Sequence, residues 1–143
     1  MMSKEAESAD LIMKLYDLRR EATMREARNW FATFFPENLE DVIDAMPNAF
    51  YRMVLSYWDM AAGFVNRGAI DEEMFLESNG EALMVFAKVE PYLEEVRTYW
   101  NNPNYLKNLD ALAMRLPDAK NALAARRELL RKIIAGRAEK AAS

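Results

Sequence analysis

The sequence predicts an all-α protein, a compact single-domain bundle of about five to seven helices that is irregular rather than coiled-coil. Only four glycines and five prolines interrupt 143 residues, and such sparse punctuation favours long helices over many short strands. Apolar residues recur at steps of three and four, as they do on one face of a helix. We expect one helical domain over residues 8–136, a disordered N-terminus at residues 1–7 and a frayed C-terminus at residues 137–143.

The first helix is expected to take Ser8 as its N-cap and to run to about Phe34, where Pro36 enforces the stop. One arc of this helix is apolar enough to face a core, and it holds Ile12, Tyr16, Thr23, Ala27, Trp30 and Phe34. Its middle, RREATMREAR, is rich in charge and should form a solvated outer face. A short helical turn should follow Asn38 and end before Pro47.

The next helix, expected at residues 48–67, contains Trp58 next to Asp59. At about 100° per residue these neighbours point in divergent directions, Trp58 among the apolar side chains and Asp59 among the polar ones. The pair therefore cannot form one site by itself, and we expect Trp58 to be buried and Asp59 to be largely exposed. Gly68 supplies the left-handed residue that ends such a helix, and Asp71 is placed to cap the following one.

The second half of the chain carries a longer apolar stripe that is broken by turn residues. Asn79 and Gly80 interrupt the pattern, and Pro91 predicts a kink at residues 87–91. The stripe consists of Ala82, Phe86, Val89, Leu93, Val96 and Trp100. Asn102 and Pro103 are typical of an N-cap and a first helical position, so a helix should restart there and end near Leu116. Pro117 and Asp118 should open a last helix that frays beyond Gly136.

Charge is distributed unevenly along the chain, whose net charge is −4. Residues 118–143 hold seven basic and three acidic residues, a charge of +4, which leaves −8 for residues 1–117. The last helix has a narrow apolar stripe of Leu123, Leu129, Leu130, Ile133 and Ile134, bordered by Arg126, Arg127, Arg131 and Lys132. Such a helix must cover its own domain, cover another copy of the chain or remain frayed.

Several kinds of chemistry are excluded by residues that the sequence lacks. It contains no histidine and no cysteine, which removes His-based triads, thiolates and histidine metal sites. No phosphate-binding glycine loop occurs. Glu73 with Glu77, and Glu90 with Glu94, share helix faces, but such pairs are more often solvated than functional. We therefore predict no catalytic, cofactor-binding or metal-ligating residue, no cofactor and no enzymatic activity. An acidic N-terminus and the lack of a long apolar run predict a soluble, cytoplasmic chain without a transmembrane segment.

Two segments, AFYRMVLSYWDMAAGFVNRGAIDEEMF and VEPYLEEVRTYWNNPNYLKNLDALA, are more specific than composition. They resemble matching helices of a bacterial domain of unknown function, a small all-helical domain without established activity. The positions that carry this resemblance are Asp59, Gly68, Arg97, Pro103 and Tyr105. The resemblance implies that Asp59 can meet Arg97 from another helix. Many family members look membrane-anchored, whereas residues 3–10 are polar here.

Three functions compete at this point. The first is an interaction module or scaffold that binds a protein partner or forms a homodimer, favoured by the many methionine and aromatic residues. The second is a small-ligand sensor with an aromatic pocket lined by Tyr57, Trp58, Tyr92, Tyr99 or Trp100. The third is peripheral contact with a membrane surface or another polyanion through the basic last helix. The acidic body makes nucleic acid the least favoured partner.

Overall fold

A computed structural model describes residues 2–142 of the chain, and these residues form nine α-helices and no strand. The all-α, irregular bundle expected from the sequence is confirmed. A single 3₁₀ turn, Glu90–Tyr92, lies between the sixth and seventh helices. The helices are α1 Lys4–Arg20, α2 Ala22–Thr33, α3 Leu39–Ala45, α4 Ala49–Asn66, α5 Glu72–Ser78, α6 Glu81–Val89, α7 Leu93–Tyr99, α8 Lys107–Met114 and α9 Ala119–Ala142.

The chain divides into more helices than expected because the predicted first helix is two helices and because the predicted kink at Pro91 separates α6 from α7. α1 begins after Ser3, whose side chain accepts the Ala6 amide. Ser8 is therefore not an N-cap, and it lies buried inside α1, where its Oγ accepts the Asp71 amide at 3.0 Å. The break is at Glu21, which has an extended ψ of 143° and caps the Met24 amide of α2. Because of this break, the apolar arc predicted for one continuous helix does not face the core along its whole length, and Tyr16 and Thr23 are exposed.

Both ends of the described chain are helical. α1 starts at Lys4, and α9 continues beyond Gly136 to Ala142. Helical structure therefore covers most of the two terminal segments for which disorder or fraying was expected. Residues 1 and 143, which belong to those segments, lie outside the described residues.

Helix α4 occupies the centre of the bundle and packs against α2 on one side and α8 on the other. Its limits agree with the prediction: Asn48 caps the Phe50 amide, and Gly68 follows the helix at φ 81°. Trp58 is fully buried, as expected. The next largest fully buried side chains of the same core are Tyr51, Phe31, Phe75 and Phe86. Burial of an aromatic side chain of this size typically stabilises a domain by about 1.5–3 kcal/mol.

Residues 79–100 follow the predicted stripe, with its breaks at the predicted places. α5 ends before Asn79, and α6 passes through the 3₁₀ turn that contains Pro91 into α7. All members of the stripe are buried except Trp100 at its end. The helix predicted to restart at Pro103 begins only at Lys107, after Leu106 in the left-handed region at φ 53°.

The last helix, α9, packs on its own domain along α6 and α8. Leu123 is fully buried. Arg127 donates to the Ala87 carbonyl oxygen at 2.9 Å, and Lys120 forms an ion pair with buried Glu90. Lys120 and Arg127 of this helix therefore both pair with Glu90, an acidic residue of the body of the same chain. Among the described residues, no helix is long and apolar enough to cross a membrane.

Candidate functional site

Asp59 has partners that the sequence did not reveal, and its predicted large exposure is wrong. The residue is half-buried, and its Oδ1 accepts the backbone amides of Asn108 and Leu109 at 3.1 and 3.0 Å. Its Oδ2 accepts the Asn108 side-chain amide at 3.3 Å. The first amides of a helix have no partner within it, and the residue before α8, Leu106, has no side chain that could cap them. Asp59 thus caps α8 from another helix.

Arg97 lies on the opposite side of the same segment. Its Nε donates to the Tyr105 carbonyl oxygen at 2.9 Å, and its guanidinium also contacts Asp110 at 3.4 Å. A third bond joins it to Glu94 on its own helix. Asp59 and Arg97 therefore do not form the ion pair that the resemblance implied. They hold residues 105–110 from two sides, so both act on the start of α8.

Tyr105 and Gly63 complete this helix start. The Tyr105 hydroxyl forms a 2.7 Å hydrogen bond with the Tyr51 hydroxyl, and burial raises the pKa of Tyr105 to about 12. Gly63 faces the Asn108 amide so closely that a Cβ there would lie 3.0 Å from its nitrogen. The resemblance-bearing Asp59, Arg97 and Tyr105 are thus structural: they fix where α8 begins.

The aromatic residues proposed to line one pocket are not brought together. Tyr57 donates its hydroxyl to the Leu15 carbonyl oxygen, and Trp58 donates its indole N–H to Glu81 at 3.3 Å. Tyr92 donates to the Pro36 carbonyl oxygen. Tyr99 and Trp100 face solvent. The predicted aromatic pocket is therefore wrong, because helix packing directs these side chains to different places.

Tyr99 and Trp100 instead form an exposed pair at the end of α7. Their rings meet edge to face, with centroids 5.2 Å apart and planes at 83°. The Trp100 indole N–H donates to Met46 Sδ at 2.9 Å, and Tyr99 borders a shallow depression that also contains Leu39. We name these four residues, Leu39, Met46, Tyr99 and Trp100, the aromatic surface. Arg97, two residues before Tyr99, connects this end of α7 to the start of α8 through Tyr105 and Asp110.

A separate cavity of about 190 Å³ lies between α2, α6 and α9. Its lining is mostly apolar, including Phe31, Val54, Met84, Val85, Leu130 and Ile134. Four charged residues complete the lining, Arg28, Glu81, Lys88 and Arg137. Glu81 is already paired, since Arg28 Nε and Nη2 each donate to it at 2.8 Å. Burial would raise the pKa of Glu81, but these bonds from Arg28 hold it below its usual value.

Lys88 is the least expected residue in this cavity. Only 3% of its surface is exposed, and its ammonium donates to the Phe31 carbonyl oxygen at 2.6 Å and the Ala32 carbonyl oxygen at 3.5 Å. Within the described chain, no carboxylate lies within hydrogen-bonding distance of this ammonium. Burial lowers the pKa of Lys88 to about 8, Glu81 opposes this effect and Arg137 adds to it. The sequence offered one sign: this lysine stands in VFAKV, which is apolar on every face.

The paired carboxylates do not gather into one site. Glu90 is buried against Lys120 and Arg127, whereas Glu94 is exposed and pairs with Arg97. Glu73 and Glu77 lie exposed on α5. In the part of the chain that is described, no group of three or more acidic side chains is placed to hold a metal ion.

The protein is a small all-helical domain in which Asp59, Arg97 and Tyr105 stabilise the start of α8. The chain belongs to the family described as Domain of unknown function (DUF4760), whose model matches residues 5–116. The suspected resemblance is thereby confirmed, and α9 lies beyond the matched residues. No curated protein and no solved structure was found to match the chain.

Proposed function

We propose that the protein is a non-catalytic interaction module that binds another protein through its aromatic surface. The observation that carries this proposal is the exposure of Tyr99 and Trp100, whose accessible fractions are 58% and 52%. Tryptophan and tyrosine dominate binding energy at protein interfaces because they bury a large area at a low entropic cost. Because more than half of the surface of each residue is in solvent, that area is available for a partner.

The surroundings of the aromatic surface indicate the chemistry of the partner. Glu94 and Glu95 are exposed on the preceding turn of α7, and with Leu39 they border the depression beside Tyr99. An acidic rim around an apolar centre complements a surface that offers aliphatic and basic side chains. We therefore infer a partner with a basic rim. Because the rim is acidic, two aromatic surfaces would repel each other in a symmetric dimer.

The lack of enzymatic activity and a cytoplasmic location belong to the same proposal. The chain has no histidine and no cysteine to serve as base or nucleophile. The absence of cysteine suits a reducing compartment.

Membrane contact through α9 receives less support than protein binding. Arg131 pairs with Glu37 at 2.9 Å and stacks on the Phe35 ring, while Lys120 and Arg127 pair with Glu90. These cations are engaged by the protein's own acids, which reduces the charge that α9 presents to an anionic surface.

The test is photo-crosslinking of the full chain in cells of its source. A benzophenone amino acid is placed at Thr98, beside the aromatic surface, or at Lys14, which is exposed on α1. We expect one discrete adduct from position 98 and none from position 14. Trp100→Ala should abolish the adduct without changing the melting temperature, because the ring is half in solvent. Leu129→Ala, a truncation at a residue that is also 50% exposed, should leave it intact.

The adduct mass separates a foreign partner from a second copy. An adduct of twice the chain mass, together with a dimeric molar mass in light scattering, would replace the foreign partner by a homodimer. No adduct at position 98, or an adduct that persists in Trp100→Ala, would refute the proposal.

A further inference from the structure

The cavity between α2, α6 and α9 combines an apolar interior with an excess of positive charge. Of its four charged residues, Arg28 and Glu81 neutralise each other through two 2.8 Å hydrogen bonds. Lys88 and Arg137 form no ion pair with a residue of the cavity lining, and the one lining carboxylate, Glu81, is held by Arg28. A buried cation without a counter-ion is costly, because it has lost its hydration and gained no opposite charge. The cavity is therefore complementary to an anion.

The hydrogen bonds of Lys88 leave it able to accept such a partner. An ammonium group has three N–H donors, and Lys88 uses two of them on the carbonyl oxygens of Phe31 and Ala32, one bond short and one long. The side chain lines the cavity with Arg137, which lies on the exposed part of α9. Two donors from different helices can thus meet one oxyanion.

The volume of the cavity limits the size of the ligand. An engineered apolar cavity of about 150 Å³ is large enough to bind benzene. The cavity here measures about 190 Å³, which admits a ring or a short chain together with a small polar group. Met84 and Leu130 are on its walls, and a methionine side chain adapts to ligands of different shape.

We propose that this cavity binds a small amphiphilic monocarboxylic acid, with the carboxylate on Lys88 and Arg137 and the apolar part against α2, α6 and α9. A single negative charge suits the site because it offsets the one buried ammonium, whereas a dianion would need more donors than the walls supply. Charge-assisted hydrogen bonds to the ammonium and the guanidinium fix the orientation of the acid. This site is independent of the aromatic surface.

The experiment is calorimetric titration of the full chain at pH 7 with hexanoate and benzoate, and with hexanamide and benzamide as uncharged matches. We expect both carboxylates to bind and both amides to bind at least about tenfold more weakly, since a hydrogen bond to a charged group contributes about 1.5–3 kcal/mol. Lys88→Met should weaken benzoate at least about tenfold. Lys132→Met, which removes an exposed charge of the same helix as Arg137, should leave the affinity unchanged.

Two further measurements keep the proposal falsifiable if Lys88→Met does not fold. Arg137→Met changes only the exposed side of the cavity and should weaken benzoate. In the unchanged protein, benzoate affinity should fall between pH 7 and pH 9 as Lys88 loses its proton, while the charges of Arg28, Glu81 and Arg137 around it persist. Equal binding of amide and acid, equal effects of Lys88→Met and Lys132→Met, or no binding of either acid at millimolar concentration would overturn the assignment.

Discussion

Asp59 caps a helix that begins far from it in the chain: its carboxylate accepts the backbone amide of Asn108, a residue 49 positions later, at 3.1 Å. Local N-caps lie within the same turn as the amides that they satisfy. Here the cap and the helix start are brought together by the packing of α4 against α8. The stability of α8 therefore depends on a side chain of α4.

Asp59→Ala should lower the free energy of unfolding by about 0.5–2 kcal/mol, as the loss of an N-cap does. Asp59→Asn should cost less, because an amide oxygen can still accept one backbone amide. Urea unfolding at pH 7 measures both changes. Asp17→Ala, which removes an exposed acid of α1, is the matched control and should stay within about 0.5 kcal/mol of the unchanged protein. A loss in Asp59→Ala no larger than in that control would contradict the cap.

The sequence predicted the parts of the fold that are encoded by neighbours. The N-caps Asn38, Asn48 and Asp71 each accept a backbone amide within one turn of themselves. Gly68 ends α4 with a left-handed backbone, which is also a local property. The break at Glu21 was missed since a glutamate in RREATMREAR is compatible with a continuous helix. The break coincides with the cap that the Glu21 carboxylate provides to the Met24 amide.

The sites were less predictable than the fold, because they depend on contacts between distant helices. Asp59 looked exposed by periodicity, yet α8 covers it. Lys88 stands in an apolar stretch, but its sequence neighbours do not reveal that α2 supplies carbonyl oxygens for its ammonium. Trp100 continues the apolar stripe of α7, but the helix ends at Tyr99 and Trp100 is left exposed.

Trp58→Ala should destabilise the protein by about 3–5 kcal/mol, since it removes a fully buried ring from the centre of the bundle. Trp58→Phe should cost less, although it also removes the N–H that donates to Glu81. Thermal and urea unfolding measure the stability of the two variants relative to the unchanged protein. Trp100→Ala, in which an exposed indole is truncated, provides the comparison and should be close to neutral. A similar loss in the two alanine variants would exclude the assigned burial.

Gly63→Ala tests how closely α4 and α8 approach. An alanine should stabilise a helix by up to about 1 kcal/mol relative to glycine, but its Cβ would come within 3.0 Å of the Asn108 amide nitrogen. We expect a neutral or unfavourable effect in the unchanged protein and a favourable one when Asn108 is also alanine. A double-mutant cycle on urea unfolding measures this coupling. Additive effects would show that the contact carries no strain. Gly136→Ala, with open space at its Cβ, is the control.

The pKa of Lys88 predicts a pH dependence with a defined sign. Its pKa is about 8 in the folded protein and about 10.4 in an unfolded chain. Between these values the unfolded state holds a proton that the folded state has lost, so the free energy of unfolding should rise with pH. Below about pH 8 both states are protonated and this contribution to the slope vanishes.

Lys88→Met isolates that contribution. The difference in unfolding free energy between the unchanged protein and Lys88→Met should change in favour of the unchanged protein from pH 7.5 to pH 9.5. Measurements stop there because the buried Tyr57 and Tyr105 hydroxyls, whose pKa values are raised to about 12, give an opposite slope above about pH 10. Lys107→Met, at an exposed residue, is the matched control. Parallel curves for all three proteins would refute a buried, protonated Lys88.

The capping of α8 by Asp59 also has a consequence for the order in which the helices fold. A helix starts slowly on its own, since its first turn fixes several residues for one hydrogen bond. Leu106 is left-handed and gives α8 no local initiation, so this helix should form in the folding reaction only after α4 has met it. Mutations of α8 should then accelerate unfolding more than they slow refolding, whereas core mutations of α2 and α4 should slow refolding. The chain would thus assemble its centre first and acquire α8 late.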